Sequence, residues 1–229
     1  MKNIMKIISV FLLLFFISAG CSLDSDKKNE SGIEFKGFPD AVTTLKGWEL
    51  DETNTGLKDD YSKLTDITVS DVGCISYGNL VVGIDNITIS DKYIPYTVII
   101  EADGVVFKRC MFQPASCGTG MPLIFTRDTR AVFRDCEMDF SGIPIDIAYF
   151  SIGVNLTGEI YRCNIYGAAA GISIHNPDSD KPSIAEGNYI HDLRYREPAH
   201  VDGLTVRSCS GSGGMVIRNN KIIVDVLAT

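Results

Sequence analysis

Five times between residues 105 and 222 the chain repeats one phrase: a mostly apolar pair two residues apart, a two-residue polar corner, then Cys or Asn with an apolar residue two places on. The phrases are Val105-x-Phe107 with Cys110-x-Phe112, Ala131-x-Phe133 with Cys136-x-Met138, Gly158-x-Ile160 with Cys163-x-Ile165, Ser183-x-Ala185 with Asn188-x-Ile190, and Met215-x-Ile217 with Asn220-x-Ile222. Positions 110, 136, 163, 188 and 220 are 26, 27, 25 and 32 residues apart, one supersecondary unit per repeat. Self-similarity at that period predicts a stacked, solenoid architecture.

Parity within the phrase identifies the unit. Residues two apart share a face of a strand, so 105 and 107 face together, as do 110 and 112, but 107 and 110 are three apart and a bend must separate them. The bends are Lys108-Arg109, Arg134-Asp135, Tyr161-Arg162, Glu186-Gly187 and Arg218-Asn219, polar as a corner turned toward water should be. A helix would require apolar residues at spacings of three and four over longer windows. A further strand precedes each phrase, at Val98-x-Ile100, Leu123-x-Phe125, Ile152-x-Val154, Ile172-x-Ile174 and Leu204-x-Val206.

Three short strands per repeat predict an all-β parallel β-helix. The segments Ala102-Asp103-Gly104-Val105-Val106-Phe107-Lys108, Arg162-Cys163-Asn164-Ile165, Gly187-Asn188-Tyr189-Ile190-His191 and His200-Val201-Asp202-Gly203 resemble right-handed parallel β-helix proteins of the pectate-lyase-like superfamily, over about residues 78–229. The resemblance implies the fold more strongly than a reaction, because that fold hosts lyases, hydrolases, epimerases and non-catalytic adhesins.

The first twenty residues read as a processing signal. Lys2 and Lys6 precede an apolar run from Ile7 to Phe16, and Ser18-Ala19-Gly20-Cys21 follows. That order resembles a bacterial lipoprotein signal with Cys21 as the lipidated residue, which implies export and a membrane lipid anchor facing the periplasm or cell exterior. An ordinary secretory signal or an uncleaved anchor is the alternative. Residues 21–33 are polar and predict a flexible tether. Residues 34–77, with Phe35, Phe38, Trp48, Leu50 and Leu57 scattered among Gly, Asp and Thr, are expected to cap the open end of the stack, which occupies 78–229. Val224 to Thr229 carry no polar closing segment, so either a continuing chain or a fragment is expected. Without Lys2 and Lys6 the basic residues number 19 against 29 acidic, a net charge near −10 that disfavours nucleic acid as a partner.

Beyond Cys21 the cysteines are 74, 110, 117, 136, 163 and 209. An even number in an exported chain invites disulfides. Cys110, Cys136 and Cys163 nevertheless occupy one inward slot on successive repeats, where in-register side chains give an awkward disulfide torsion. A column of buried thiols continued by Asn188 and Asn220 is therefore expected. No C-x-x-C pair is present to suggest zinc.

Applying the same parity to the strand before each phrase gives an outward row of Glu101, Thr126, Asn155, His175 and Arg207, one residue per repeat. In the resembling superfamily the polysaccharide groove runs along an outward sheet face. Such a row suits a carbohydrate, because Arg neutralises a uronate carboxylate and His or Arg takes a proton. An outward face is also polar by default. His200 and Asp202 stand where the preceding repeat has Ala168 and Ala170, before the shared Gly171 and Gly203. Asp202 could orient His200 for chemistry with Arg207, or the pair could simply form a corner. No cofactor is required; calcium is left open by Asn176, Asp178 and Asp180, which equally describe an ordinary turn. The paired aspartates and Gly-His-Gly segment of β-helix polygalacturonases are missing from residues 78–229. The functional expectation is a lipid-anchored protein that binds or cleaves extracellular polysaccharide, with polyuronate lysis the enzymatic option and a glycan- or protein-binding module the alternative.

Overall fold

A computed structural model describes residues 45–58, 60–117, 122–148, 151–177, 179–195, 197 and 200–224. Cys21, the signal segment and the tether lie outside these residues. The protein is all-β, with 19 strands, a four-residue helical turn at Ile145–Ala148 and two 3-10 segments among the described residues.

The strands form three parallel series. Sheet one takes Asn79–Val82, Thr97–Ile100, Ile124–Thr126, the first half of Ile152–Tyr161, Ala170–His175 and Asp202–Arg207. Sheet two takes Thr88–Ser90, Val105–Lys108, Ala131–Arg134, the second half of Ile152–Tyr161, Ser183–Glu186 and Met215–Arg218. Sheet three runs through Lys92–Ile94, Met111–Phe112, Glu137–Asp139, Asn164–Tyr166, Tyr189–His191 and Lys221–Ile222, with Thr65–Asp66 at its start.

Register follows the repeated phrase. Phe107, Phe133, Ile160, Ala185 and Ile217 align across sheet two, and Phe112, Met138, Ile165, Ile190 and Ile222 across sheet three. The inward faces of all three sheets share one core, in which the Phe107 and Phe133 rings stack at 5.0 Å and Phe112 meets Phe107 edge-on at 5.2 Å. In the last repeat Val206, Ile217 and Ile222 hold the corresponding positions but are exposed.

Each corner is built the same way. Asp91, Arg109, Asp135, Arg162, Gly187 and Asn219 have φ between 50° and 67°, a left-handed conformation natural for Gly, Asn and Asp and costing other residues about 1–2 kcal/mol. The two arginines are held there by bidentate pairing along the stack: Arg109 to Asp91 at 2.7 and 2.6 Å, and Arg162 to Asp135 at 2.6 and 2.7 Å. The corner N–H groups of Asp91, Arg109, Asp135 and Arg162 donate to carbonyls of the following repeat, so these donors stay paired through the bends.

The expected interior column is present. Cys110, Cys136 and Cys163 are buried thiols with no disulfide. A hydrogen bond with Cys136 and burial push the Cys110 thiol up, and burial foremost pushes Cys136 up. Asn188 continues the column. Its Oδ1 accepts from the Cys163 N–H at 2.9 Å, while its amide donates to the Ile160 carbonyl at 3.1 Å and to Asn220 Oδ1 at 2.8 Å.

The segment expected as an end cap divides into two. Residues 45–58 and 60–64 run along the outer face of sheet three: the Gly56 N–H donates to the Arg162 carbonyl at 2.8 Å, the Leu57 N–H to Glu137 Oε2 at 3.3 Å, and Lys221 Nζ to the Leu50 carbonyl at 2.8 Å. They act as a strap reaching from the middle repeats to the last. The end of the core is met by residues 69–76, where Val72 enters the core and Gly73–Ser76 pairs antiparallel with Asn79–Val82. Residues 34–44 lie outside the described region.

Candidate functional site

In most repeats a loop separates sheet one from sheet two, as at 127–130, 176–182 and 208–214. The third repeat has none. Ile152–Tyr161 is one ten-residue strand that pairs with sheet one at its start and sheet two at its end. It bends at Gly158, whose φ of +133° and whose contact with the Ala131 carbonyl leave no room for a Cβ. The missing loop opens a groove between loops 127–130 and 176–182, with Asn155, Thr157 and Glu159 along its floor.

The groove has two adjoining clefts of about 490 and 500 Å³, which share Asp103, Arg130 and Ser179. Arg130 ties the walls together. Its backbone N–H donates to Asp103 Oδ1 at 3.0 Å, its Nη1 to Asn176 Oδ1 at 3.4 Å and its Nη2 to the Pro182 carbonyl at 2.6 Å. Half-buried, its guanidinium is pushed below its ordinary pKa by desolvation, against the opposing pull of Glu159, Asp180 and Asp103. Asn176 is fully buried and donates to the Lys181 and Gly214 carbonyls at 3.2 and 2.7 Å, which fixes loop 176–182 against loop 208–214.

The first cleft contains Phe125, Asn155, Thr157 and His175. Phe125 is half-buried and in register with Asn155, so an aromatic face lies beside an amide, a hydroxyl and an imidazole. His175 Nε2 lies 3.2 Å from Ser173 Oγ, and burial followed by the Arg207 charge holds its pKa below the ordinary value. The imidazole is therefore neutral near pH 7 and serves as a hydrogen-bonding group.

The structure redraws the outward row. Thr126 borders the first cleft with Asn155 and His175 but is buried, in register with Ile100, and its hydroxyl accepts from the Thr157 N–H at 2.8 Å. The phase assigned to Leu123-x-Phe125 is therefore corrected: Ile124 and Thr126 face the core and Phe125 faces out. Asn155 belongs one rank earlier than His175, in register with Phe125 and Ser173; His175 shares its rank with Thr157 and Arg207. Glu101 is outward but outside both clefts, paired with Arg127 at 2.6 Å. Arg207 is exposed beside His175.

His200 is exposed and precedes the strand Asp202–Arg207, with Asp202 in register with Ala170. Asp202 and Arg207 stand at opposite ends of that strand, about 16 Å apart at the usual rise per residue. Among the described residues no hydrogen bond joins His200 to Asp202. In the suggested oxygen loop Asn176 turns inward, Asp180 lines the second cleft and Asp178 lies outside the described residues.

Sequence reasoning missed Phe125, Arg130, Thr157 and Glu159. One signal was available: four positions separate Val154 from Gly158, whereas nine separate Ile174 from Ser183. Compared with known proteins, the chain matches no family model, no curated protein and no solved structure.

Proposed function

We propose that the chain is a right-handed parallel β-helix of the pectate-lyase-like type, exported and lipid-anchored through Cys21, that binds a neutral extracellular polysaccharide in the groove over Gly158. The observation carrying this reading is the missing third loop, which leaves an open cleft with Phe125 beside Asn155, Thr157 and His175. A sugar ring has an apolar face and an equatorial rim of hydroxyls, and this arrangement offers an aromatic surface with hydrogen-bonding groups around it. The right hand follows the rule for parallel crossovers.

A neutral ligand fits the charges better than a polyuronate. Asp103, Asp128, Glu159 and Asp180 line the groove against Arg130 and Lys181, and Arg130 already bridges the walls. Like charge would repel a uronate chain. The distance between Asp202 and Arg207 supports binding over cleavage, since acid–base catalysis needs its groups within hydrogen-bonding reach of one substrate.

A glycan array probed with the full-length protein tests the ligand class: neutral polysaccharides should be retained and polyuronates should not. Retention of polyuronates alone refutes it. Cys21→Ser should release the protein from membranes; unchanged lipid labelling and membrane partitioning would overturn the anchor.

A further inference from the structure

Glu137 is 3 % exposed on the outer face of sheet three, beneath the strap of residues 45–58 and 60–64. Its Oε2 accepts the Leu57 N–H, and its Oε1 accepts Asn164 Nδ2 at 2.7 Å. Gly56, with φ +60°, passes so close that a Cβ there would overlap the carboxylate. The strap's backbone is thus seated directly on an acidic side chain, and Thr55 and Leu57 are buried beside it.

We infer that residues 45–58 and 60–64 form a proton-sensitive strap, latched onto sheet three through Glu137 and loosened as the pH rises. The surroundings of Glu137 supply little positive charge. Asp139 on its own strand repels it, Tyr166 on the next strand hydrogen-bonds it, and Met111 on the other side is uncharged. From the strap, Tyr61 acts on Tyr166, while Lys58 and Asp60 line a neighbouring cavity with Arg162, whose guanidinium is committed to Asp135. Beyond Asn164, His191 Nε2 lies 2.9 Å from its Oδ1 and His191 Nδ1 lies 2.8 Å from Asp192.

Burial is the largest influence on Glu137 and raises its pKa from 4.5 to about 7, partly offset by the Asn164 and Leu57 hydrogen bonds. A carboxyl group with a raised pKa favours the state that buries it when protonated. That stabilisation is fully present below pH 4.5 and is lost as the pH rises through about 7, after which it is constant. If lifting the strap returned Glu137 fully to its ordinary pKa, the docking equilibrium would weaken by a limit of roughly 300-fold across that window. Because the strap precedes the sheets, its release adds up to roughly 65 Å of extended chain ahead of the domain.

The sole tryptophan of the chain, Trp48, lies on the strap with its side chain exposed, so its anisotropy follows the mobility of the strap itself. Fluorescence anisotropy of Trp48 in the full-length protein should fall as pH rises from 4.5 through 7, while far-UV circular dichroism stays constant. In Glu137→Gln the anisotropy should remain at its low-pH value throughout. Constant anisotropy in the parent, or a fall in Glu137→Gln matching the parent, overturns the latch. Hydrogen exchange needs no substitution: after correction for intrinsic rates, protection of the Gly56 and Leu57 amides should decrease between pH 5 and pH 8, and equal protection would also overturn it.

Discussion

Gly158 lies against the carbonyl oxygen of Ala131 so closely that a Cβ there would overlap it, and its φ is +133°. This contact lets one strand turn from sheet one into sheet two without a loop, and the groove exists because that loop is missing.

Gly158→Ala should therefore cost stability and binding together. Relief requires moving the backbone, so a loss of about 2–4 kcal/mol is expected, at the upper end of single substitutions. Chemical denaturation measures it, and a loss below about 0.5 kcal/mol, as for an ordinary surface position, would mean that the bend is not constrained.

Asn188 makes a different contribution, inside the core. Asn188→Ala leaves the Cys163 N–H and the Ile160 carbonyl without these partners and removes one of the two hydrogen bonds to Asn220 Oδ1, keeping that from the residue 188 N–H. Buried groups stripped of hydrogen bonds cost about 1–3 kcal/mol each, so a total near 3 kcal/mol is expected by denaturant titration. Asn155→Ala, in the open groove, should cost less than about 1 kcal/mol.

The thiols of Cys110, Cys136 and Cys163 should resist alkylation in the native protein because all three are buried; for Cys110, a hydrogen bond with Cys136 and burial, and for Cys136, burial foremost, also disfavour the reactive thiolate. Cys74, which is exposed, should label readily under the same conditions. Mass mapping of labelled peptides before and after denaturation checks this; native labelling of the three column cysteines would contradict the column.

Much of this architecture was legible in the spacing of the repeat. The alignment of Phe107 with Phe133 and Ile160, the position of the polar corners and the Cys–Asn column all follow from a phrase whose parity shifts at a fixed place, whereas the left-handed conformation of those corners does not. Thr126 was misread because Leu123-Ile124-Phe125 is apolar throughout, so a period of two has no unique phase there, and a buried Thr can satisfy its hydroxyl on the neighbouring backbone. The strap was illegible for another reason: Leu57 meets Glu137, and Leu50 meets Lys221, across 80 and 171 residues. Arg130 likewise finds Asn176 and Pro182 only after two repeats have stacked. Local pattern specifies a strand's face, but not which distant loop will lie over it.

Isothermal titration of a retained neutral polysaccharide against four proteins tests the central claim most directly: the parent, Phe125→Ala, Asn155→Ala and His200→Ala. Binding through the groove predicts roughly tenfold weakening or more in each groove variant, equivalent to about 1.4 kcal/mol, with unchanged affinity in His200→Ala. Parent-like affinity in both groove variants alongside a tenfold loss in His200→Ala would contradict the account and move the site to the opposite end of the strand Asp202–Arg207.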